Sequence, residues 1–170
     1  FRLSEALKTI YSLIWDDFCS WYLEWVKPGF EQPVAEEVYQ HTVSFFEEMM
    51  KLLHPFTPFI TEEIYHLLKT QTVDLCITQA SSFQEPNGKI LAQGSLLKNV
   101  ISSLRDARNK NQLKPKESIE LYIQTVSAET YQGIENILCK QINASSIHFT
   151  NELVANSIVV AVEKDKFYIQ

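Results

Sequence analysis

Leu52-Leu53-His54-Pro55-Phe56-Thr57-Pro58-Phe59-Ile60-Thr61-Glu62-Glu63-Ile64-Tyr65 carries two prolines three residues apart inside an otherwise helical pattern. Proline cannot donate a backbone hydrogen bond and disfavours α geometry in the residue before it, so a helix must stop near Leu53. Thr57 suits the cap of a new helix, with Pro58 at its first position and Glu62 and Glu63 complementing its positive end. Upstream, Val34, Val38, Phe45, Met49 and Leu52 form one stripe, with Ala35, Tyr39, Phe46, Met50 and Leu53 beside it. Further upstream, Leu3, Leu7, Ile10, Ile14, Phe18, Trp21 and Trp25 step by three or four, the spacing of one helical face. Tyr11, Trp15, Tyr22 and Val26 widen that face, which predicts burial between several helices. Lys27-Pro28-Gly29 stops the first helix, and Phe59 to Lys69 forms the third, with Ile60, Ile64, Leu67 and Leu68 inward. Three helices joined by short connections make a bundle.

The pattern changes after residue 70. Thr, Gln, Ser, Asn and Gly dominate 70–94, around a short expected strand Asp74–Thr78 and a turn at Pro86-Asn87-Gly88. Ser95 is expected to open a fourth helix with Leu97, Val100, Ile101 and Leu104 inward. Past Pro115 the period falls from 3.6 to 2, since Ile119, Leu121 and Ile123 alternate with Glu120, Tyr122 and Gln124. A helix from Ser127 to about Lys140 should follow, with Tyr131, Ile134, Ile137 and Leu138 inward. Strands Ser146–Thr150 and Ser157–Glu163 come next, and the latter turns at Lys164-Asp165 into Lys166–Ile169 as a hairpin. The expected fold is mostly α. Residues 1–94 form a helical bundle with an irregular connection, and 95–170 a basic helix plus a small α+β subdomain ending in a β-hairpin.

The 170 residues hold 15 Lys+Arg and 21 Asp+Glu, a net charge of −6. That total argues against a nucleic-acid partner until it is partitioned. Residues 1–70 carry 5 basic and 11 acidic side chains, whereas 71–170 carry 10 of each. Within 98–116, six basic residues face one acid, Asp106, for a local net of +5. A local basic field governs approach to a polyanion, because salt screens charges beyond roughly 8–10 Å. No stretch reaches the ~20 apolar residues of a membrane span. Cys19, Cys76 and Cys139 are odd in number and far apart, as reduced cytosolic thiols are.

Catalytic chemistry finds no constellation. His41, His54, His66 and His148 do not pair with one another or with a cysteine at a zinc-ligand spacing, and no glycine-rich loop cradles a phosphate. His54 reads as a helix-end histidine bonding a carbonyl. Asp16-Asp17 and the pairs Glu36-Glu37, Glu47-Glu48 and Glu62-Glu63 read as solvated edges. Cys19 lacks a neighbouring base, and Trp21 and Trp25 at helical spacing read as core. On the fourth helix, Lys98, Arg105, Asn109 and Gln112 share one flank, with Arg108 nearer the apolar edge. Basic side chains interleaved with Asn and Gln suit phosphates and single-stranded base edges. Composition alone favours a solvated helix face instead.

Three patches add a family resemblance. Leu13-Ile14-Trp15-Asp16-Asp17-Phe18-Cys19-Ser20-Trp21-Tyr22-Leu23-Glu24 with Lys27-Pro28 resembles the first bundle helix of class I aminoacyl-tRNA synthetases of the valyl type. Leu52 to Tyr65 resembles the same family's helix break, and Ile101 to Pro115, with Leu104-Arg105-Asp106-Ala107-Arg108-Asn109, is similar to the basic helix that follows. The resemblance implies a piece of a longer, monomeric cytoplasmic enzyme that activates valine with ATP and Mg²⁺ and esterifies tRNA. This piece would be its anticodon-binding region. It would lack the catalytic and editing domains, and hold neither catalytic residues nor a metal or cofactor. The partners implied are a valine-accepting tRNA and the remaining domains of the same polypeptide, with no membrane. Charge and expected exposure place tRNA contact on Lys98, Arg105, Arg108, Lys110, Asn111, Lys114 and Lys116. The isoleucyl, leucyl and methionyl enzymes share the bundle. A helical protein-interaction module using residues 31–48 is an alternative of another class, and a hydrolase built on Cys19 would need a histidine within reach.

Overall fold

The computed structural model describes residues 2–29, 31–68, 73–79 and 85–170. The chain divides into two compact units, Phe1–Gln84 and Glu85–Gln170.

In the first unit, α1 (Leu3–Ser12) runs without interruption through a π-helical stretch, Leu13–Tyr22, into α2 (Leu23–Val26). Helix α3 spans Glu36–Leu53 and α4 spans Pro58–Leu68. Phe18, Met49, Met50, Tyr65 and Leu75 form the core, with Ile14, Cys19, Tyr22, Phe46 and Ile64 packed against it. Phe18 stacks on both Tyr22 and Phe46, with centroids 5.4 and 5.8 Å away. Cys19 is therefore packing material. The expected wide buried face of the first helix is only half realised, since Leu3, Tyr11 and Trp15 are 66, 60 and 59% exposed. A π turn takes one residue more than an α turn, yet Ile14, Phe18 and Tyr22 keep to the core across Leu13–Tyr22, and the exposed Leu3 and Tyr11 lie in α1 before it. The Ser20 hydroxyl, donating to the Trp15 carbonyl at 2.8 Å, marks that i−5 geometry.

The double-proline break lies where the sequence puts it. Helix α3 ends at Leu53, whose carbonyl accepts from the N–H groups of Phe56 and Thr57, and Pro58 opens α4. The corner is fastened by Thr61, which is fully buried. Its hydroxyl donates to the Thr57 carbonyl at 2.8 Å, so the 2.8 Å bond to His54 Nδ1 is one in which the imidazole N–H donates. His54 thus bonds a hydroxyl and not a carbonyl. The expected strand Asp74–Thr78 is instead a 3₁₀ turn, Leu75–Ile77. The Glu62 carboxylate accepts the Leu75 N–H at 2.6 Å and the Cys76 N–H at 3.3 Å, which occupies the donors a strand would have offered a neighbour. Lys69 and, within the irregular 70–94 connection, residues 70–72 and 80–84 lie outside the described residues.

The second unit starts from α5 (Gly88–Lys110), which opens seven residues before Ser95. Asn87 is its cap, accepting the N–H groups of Lys89 and Ile90 at 3.0 and 3.3 Å, so Pro86-Asn87-Gly88 is a helix start and not a free turn. A division at 94/95 would cut this helix. Strand β1 (Ile119–Gln124) is followed by a 3₁₀ turn, Ala128–Tyr131, and by α6 (Glu135–Ile142). Gly133, at φ 86°, separates the two, so the single helix expected over Ser127–Lys140 is broken. Strands β2 (Ala144–Phe149), β3 (Ile158–Val162) and β4 (Asp165–Ile169) complete a sheet of order β2-β1-β4-β3. Strands β1 and β2 are parallel and joined through α6, whereas β4 pairs antiparallel with β1 and β3. The buried set holds Leu97, Val100, Ile101 and Leu104 of α5, Leu138 of α6, and Leu121, Ile123, Phe167 and Ile169 of the sheet. Tyr131 is also buried and donates its hydroxyl to the Asp165 carboxylate. Burial, then that carboxylate, pushes its phenol far above the ordinary value of 10. Among the described residues no helix is long and apolar enough to cross a membrane.

The Glu62 clasp gives the first unit an acid-sensitive element. The Leu75 N–H above all, then the Cys76 N–H and the His54 and His66 charges, hold this carboxyl below its ordinary 4.5 against a smaller opposing effect of burial. A depressed folded value means that the contribution is complete above about 4.5 and is lost as pH falls through the lower folded value. Trp15, Trp21 and Trp25 all lie in this unit, so tryptophan fluorescence follows its unfolding alone. Glu62→Gln should lower the urea midpoint at neutral pH and flatten its decline below about pH 4.5.

Candidate nucleic-acid interface

The buried stripe of α5 continues one turn past its last apolar member. Leu97, Ile101 and Leu104 are followed on the same face by Arg108, which is only 4% exposed. A guanidinium in such a place needs acceptors, and the fold supplies three carbonyls from two segments. Arg108 Nη1 donates to the Ile142 carbonyl at 2.6 Å, at the C-terminus of α6. Its Nη2 donates to the carbonyls of Lys114 at 2.7 Å and Glu117 at 2.6 Å. A positive side chain against the carbonyl end of a helix also complements the helix dipole. Arg108 is therefore not available to a phosphate, which corrects its placement among the contact residues. Its spacing from Leu97, Ile101 and Leu104 carries the signal, and its charge conceals it.

The neighbouring side chains use this clasp as scaffold. Helix α5 ends at Lys110 with Asn111 as its cap, and Gln112 turns left-handed at φ 58°, so that the Leu113 N–H bonds back to the Arg108 carbonyl at 3.0 Å. The chain then makes a tight turn, Glu117 N–H to Lys114 carbonyl at 3.0 Å, leaving the Lys114 and Lys116 side chains exposed. Asn143, itself left-handed at φ 53°, donates its side-chain amide to the Lys116 carbonyl at 2.9 Å. Arg105 is exposed and spends one nitrogen on Gln141, at 3.1 Å from the carbonyl and 2.8 Å from Oε1. Arg105, Asn109, Pro115, Lys140, Gln141 and Asn143 line an open cleft of about 430 Å³ with Arg108 at its back wall.

The other expected contacts lie apart from this cleft. Lys110 and Asn111 are exposed on the opposite flank of the α5 terminus, lining a smaller groove with Asp106 and β3, and the Asn111 amide donates to the Ala107 carbonyl at 2.8 Å. Lys98 is half-buried, seven residues and hence about 10 Å back along α5 from Arg105. Sequence reading misses Lys140, Gln141 and Asn143, because only the parallel β1-α6-β2 crossover brings the end of α6 beside the end of α5. In the first unit Glu62, His66 and Asp74 come together, with His66 Nε2 lying 3.1 Å from Glu62 Oε1 and 3.2 Å from Asp74 Oδ1. Both Glu62 oxygens there also hold the backbone of the 3₁₀ turn.

Residues 1–123 match the family described as the anticodon-binding domain of tRNA ligase, and the chain belongs to that family. Three similar proteins are valine–tRNA ligases. A valine–tRNA ligase of Parabacteroides distasonis is 33% identical over 99% of the chain, one of Bacteroides fragilis is 40% identical over 86%, and one of Nostoc is 36% identical over 78%. The chain spans only 19, 17 and 14% of those proteins.

The two arginines should separate in a stability measurement. Arg108→Met strips a charged donor from three carbonyls, of which Lys114 still accepts the Glu117 N–H, and should lower stability by about 2–6 kcal/mol, at ~1–3 kcal/mol for each of the two left unpaired. Arg105→Ala, at an exposed position, should cost less than about 1 kcal/mol. Urea unfolding followed by far-UV circular dichroism reads both.

Proposed function

We propose that this chain is the anticodon-binding segment of a valine–tRNA ligase and grips the anticodon stem-loop at the joined ends of α5 and α6. The observation that carries this is the convergence of exposed Arg105 and Lys140 on one amide-lined cleft, with exposed Lys114 and Lys116 flanking its lining residue Pro115, in a chain whose global charge is acidic. Arg105 and the lysines supply phosphate contacts, which set affinity and its salt dependence without reading sequence. Asn109 and Gln141 offer amide donors and acceptors to unstacked bases, while the Asn143 amide holds the Lys116 carbonyl. Lys110 and Asn111 extend the positive surface around the helix end, and Lys98 extends it along the helix.

The whole protein, on this proposal, couples valine to a valine-accepting tRNA at the expense of ATP with Mg²⁺, as a cytoplasmic monomer. Those steps belong to domains outside this chain. The choice of valine over isoleucine follows the three relatives named above, each a valine–tRNA ligase.

Binding of the full-length protein to a tRNA with a valine anticodon, measured by fluorescence anisotropy across a salt series, tests the surface. Replacing Lys114 and Lys116 by Gln should weaken binding and reduce the log–log salt slope by roughly 0.7–0.9 for each phosphate that is no longer neutralised. An unchanged slope with a folded protein would place the tRNA elsewhere.

A further inference from the structure

We propose that Arg108 is a positioning residue for tRNA binding: its buried guanidinium sets the place from which Lys114 and Lys116 meet the tRNA, and it does not itself touch the tRNA. This rests on the proposed function of the surface. The geometry is that of a clamp. The Lys114–Glu117 turn offers the carbonyls of Lys114 and Glu117 to one guanidinium nitrogen, while the other nitrogen holds the Ile142 carbonyl at the end of α6. One side chain therefore fixes the spacing between the lysine-bearing turn and the helix end that carries Lys140. From the other side, the Asn143 amide holds the Lys116 carbonyl. The turn contains no regular secondary structure of its own, and besides these side-chain bonds its internal support is the Glu117-to-Lys114 backbone bond together with the long 3.4 Å contact from the Lys114 N–H to the Glu117 carboxylate.

Lysine cannot substitute here. It presents one nitrogen on a shorter reach, whereas the three carbonyls accept from two separate guanidinium nitrogens. A phosphate ligand behaves differently, because Arg-to-Lys keeps the charge and much of the salt-dependent affinity. The two roles are thus separable by one conservative substitution.

The test is a set of cycles on the full-length protein with the valine-anticodon tRNA, run well below the unfolding temperature with circular dichroism confirming the fold. Arg108→Lys should weaken binding about tenfold, close to the effect of Arg108→Met, since both break the clamp. In the Arg108→Lys background the further weakening from replacing Lys114 and Lys116 by Gln should shrink to less than about twofold, because the lysines no longer act from their proper place. Asn143→Gly keeps the left-handed backbone and removes only the amide bond to the Lys116 carbonyl. It gives a second probe if Arg108→Lys does not fold, and should weaken binding about threefold while shrinking the Lys116→Gln effect. Rescue of Arg108→Met by lysine to within twofold of wild type, or full additivity with the Lys114 and Lys116 changes, would overturn the positioning role and leave the surface assignment standing. With Asn143→Gly as the probe, wild-type binding or an undiminished Lys116→Gln effect overturns it likewise. If the lysine changes cost nothing in the wild-type background, the surface assignment itself fails, and the positioning role with it.

Discussion

A buried positive charge with three carbonyl acceptors is the constraint on which the second unit depends. Arg108 completes the apolar face of α5, closes the C-terminus of α6 and pins the turn that leads into β1. Without it the Ile142 carbonyl would be left buried and unpaired, which is expensive, and the Lys114 and Glu117 carbonyls would lose their charged donor. The same contacts bring two helix ends and a lysine-bearing turn to one place. Packing and function are therefore not separate features of this surface: the scaffold is an arginine, and the exposed charge is carried by its neighbours.

The first unit relies on a comparable device at a smaller scale. Prolines at 55 and 58 forbid a continuous helix, and the corner they leave is stabilised by the buried Thr61 hydroxyl between Thr57 and His54. One turn further along, Glu62 reaches across to the backbone at Leu75 and Cys76. Polar side chains tie the chain wherever a helix stops, because orphaned backbone groups accumulate there. Of the acids of α3, Glu36 and Glu37 are exposed, whereas Glu47 and Glu48 are half-buried.

Much of this is legible in the sequence, for identifiable reasons. Proline and the 3.6 and 2.0 periodicities locate α3, α4, the alternating strand β1 and the β3–β4 hairpin, because those signals are local. Asn87-Gly88 misleads, since Asn and Gly serve both a turn and a helix cap, and only the bonds to Lys89 and Ile90 decide between them. The break at Gly133 and the 3₁₀ turn at Leu75 depend on one glycine and one distant carboxylate, which leave no periodic trace. Arg108 reads as a contact residue by its charge, although its spacing puts it on the buried face. The members of the cleft contributed by α6 are invisible in the sequence, because a parallel crossover, and no local pattern, delivers them.

Hydrogen–deuterium exchange of the full-length protein with and without the valine-anticodon tRNA tests the central claim most directly. Exchange should slow on tRNA binding in peptides covering 109–118 and 139–145, with α3 unchanged. Protection confined to α3, with 109–118 and 139–145 exchanging as in the free protein, would contradict it.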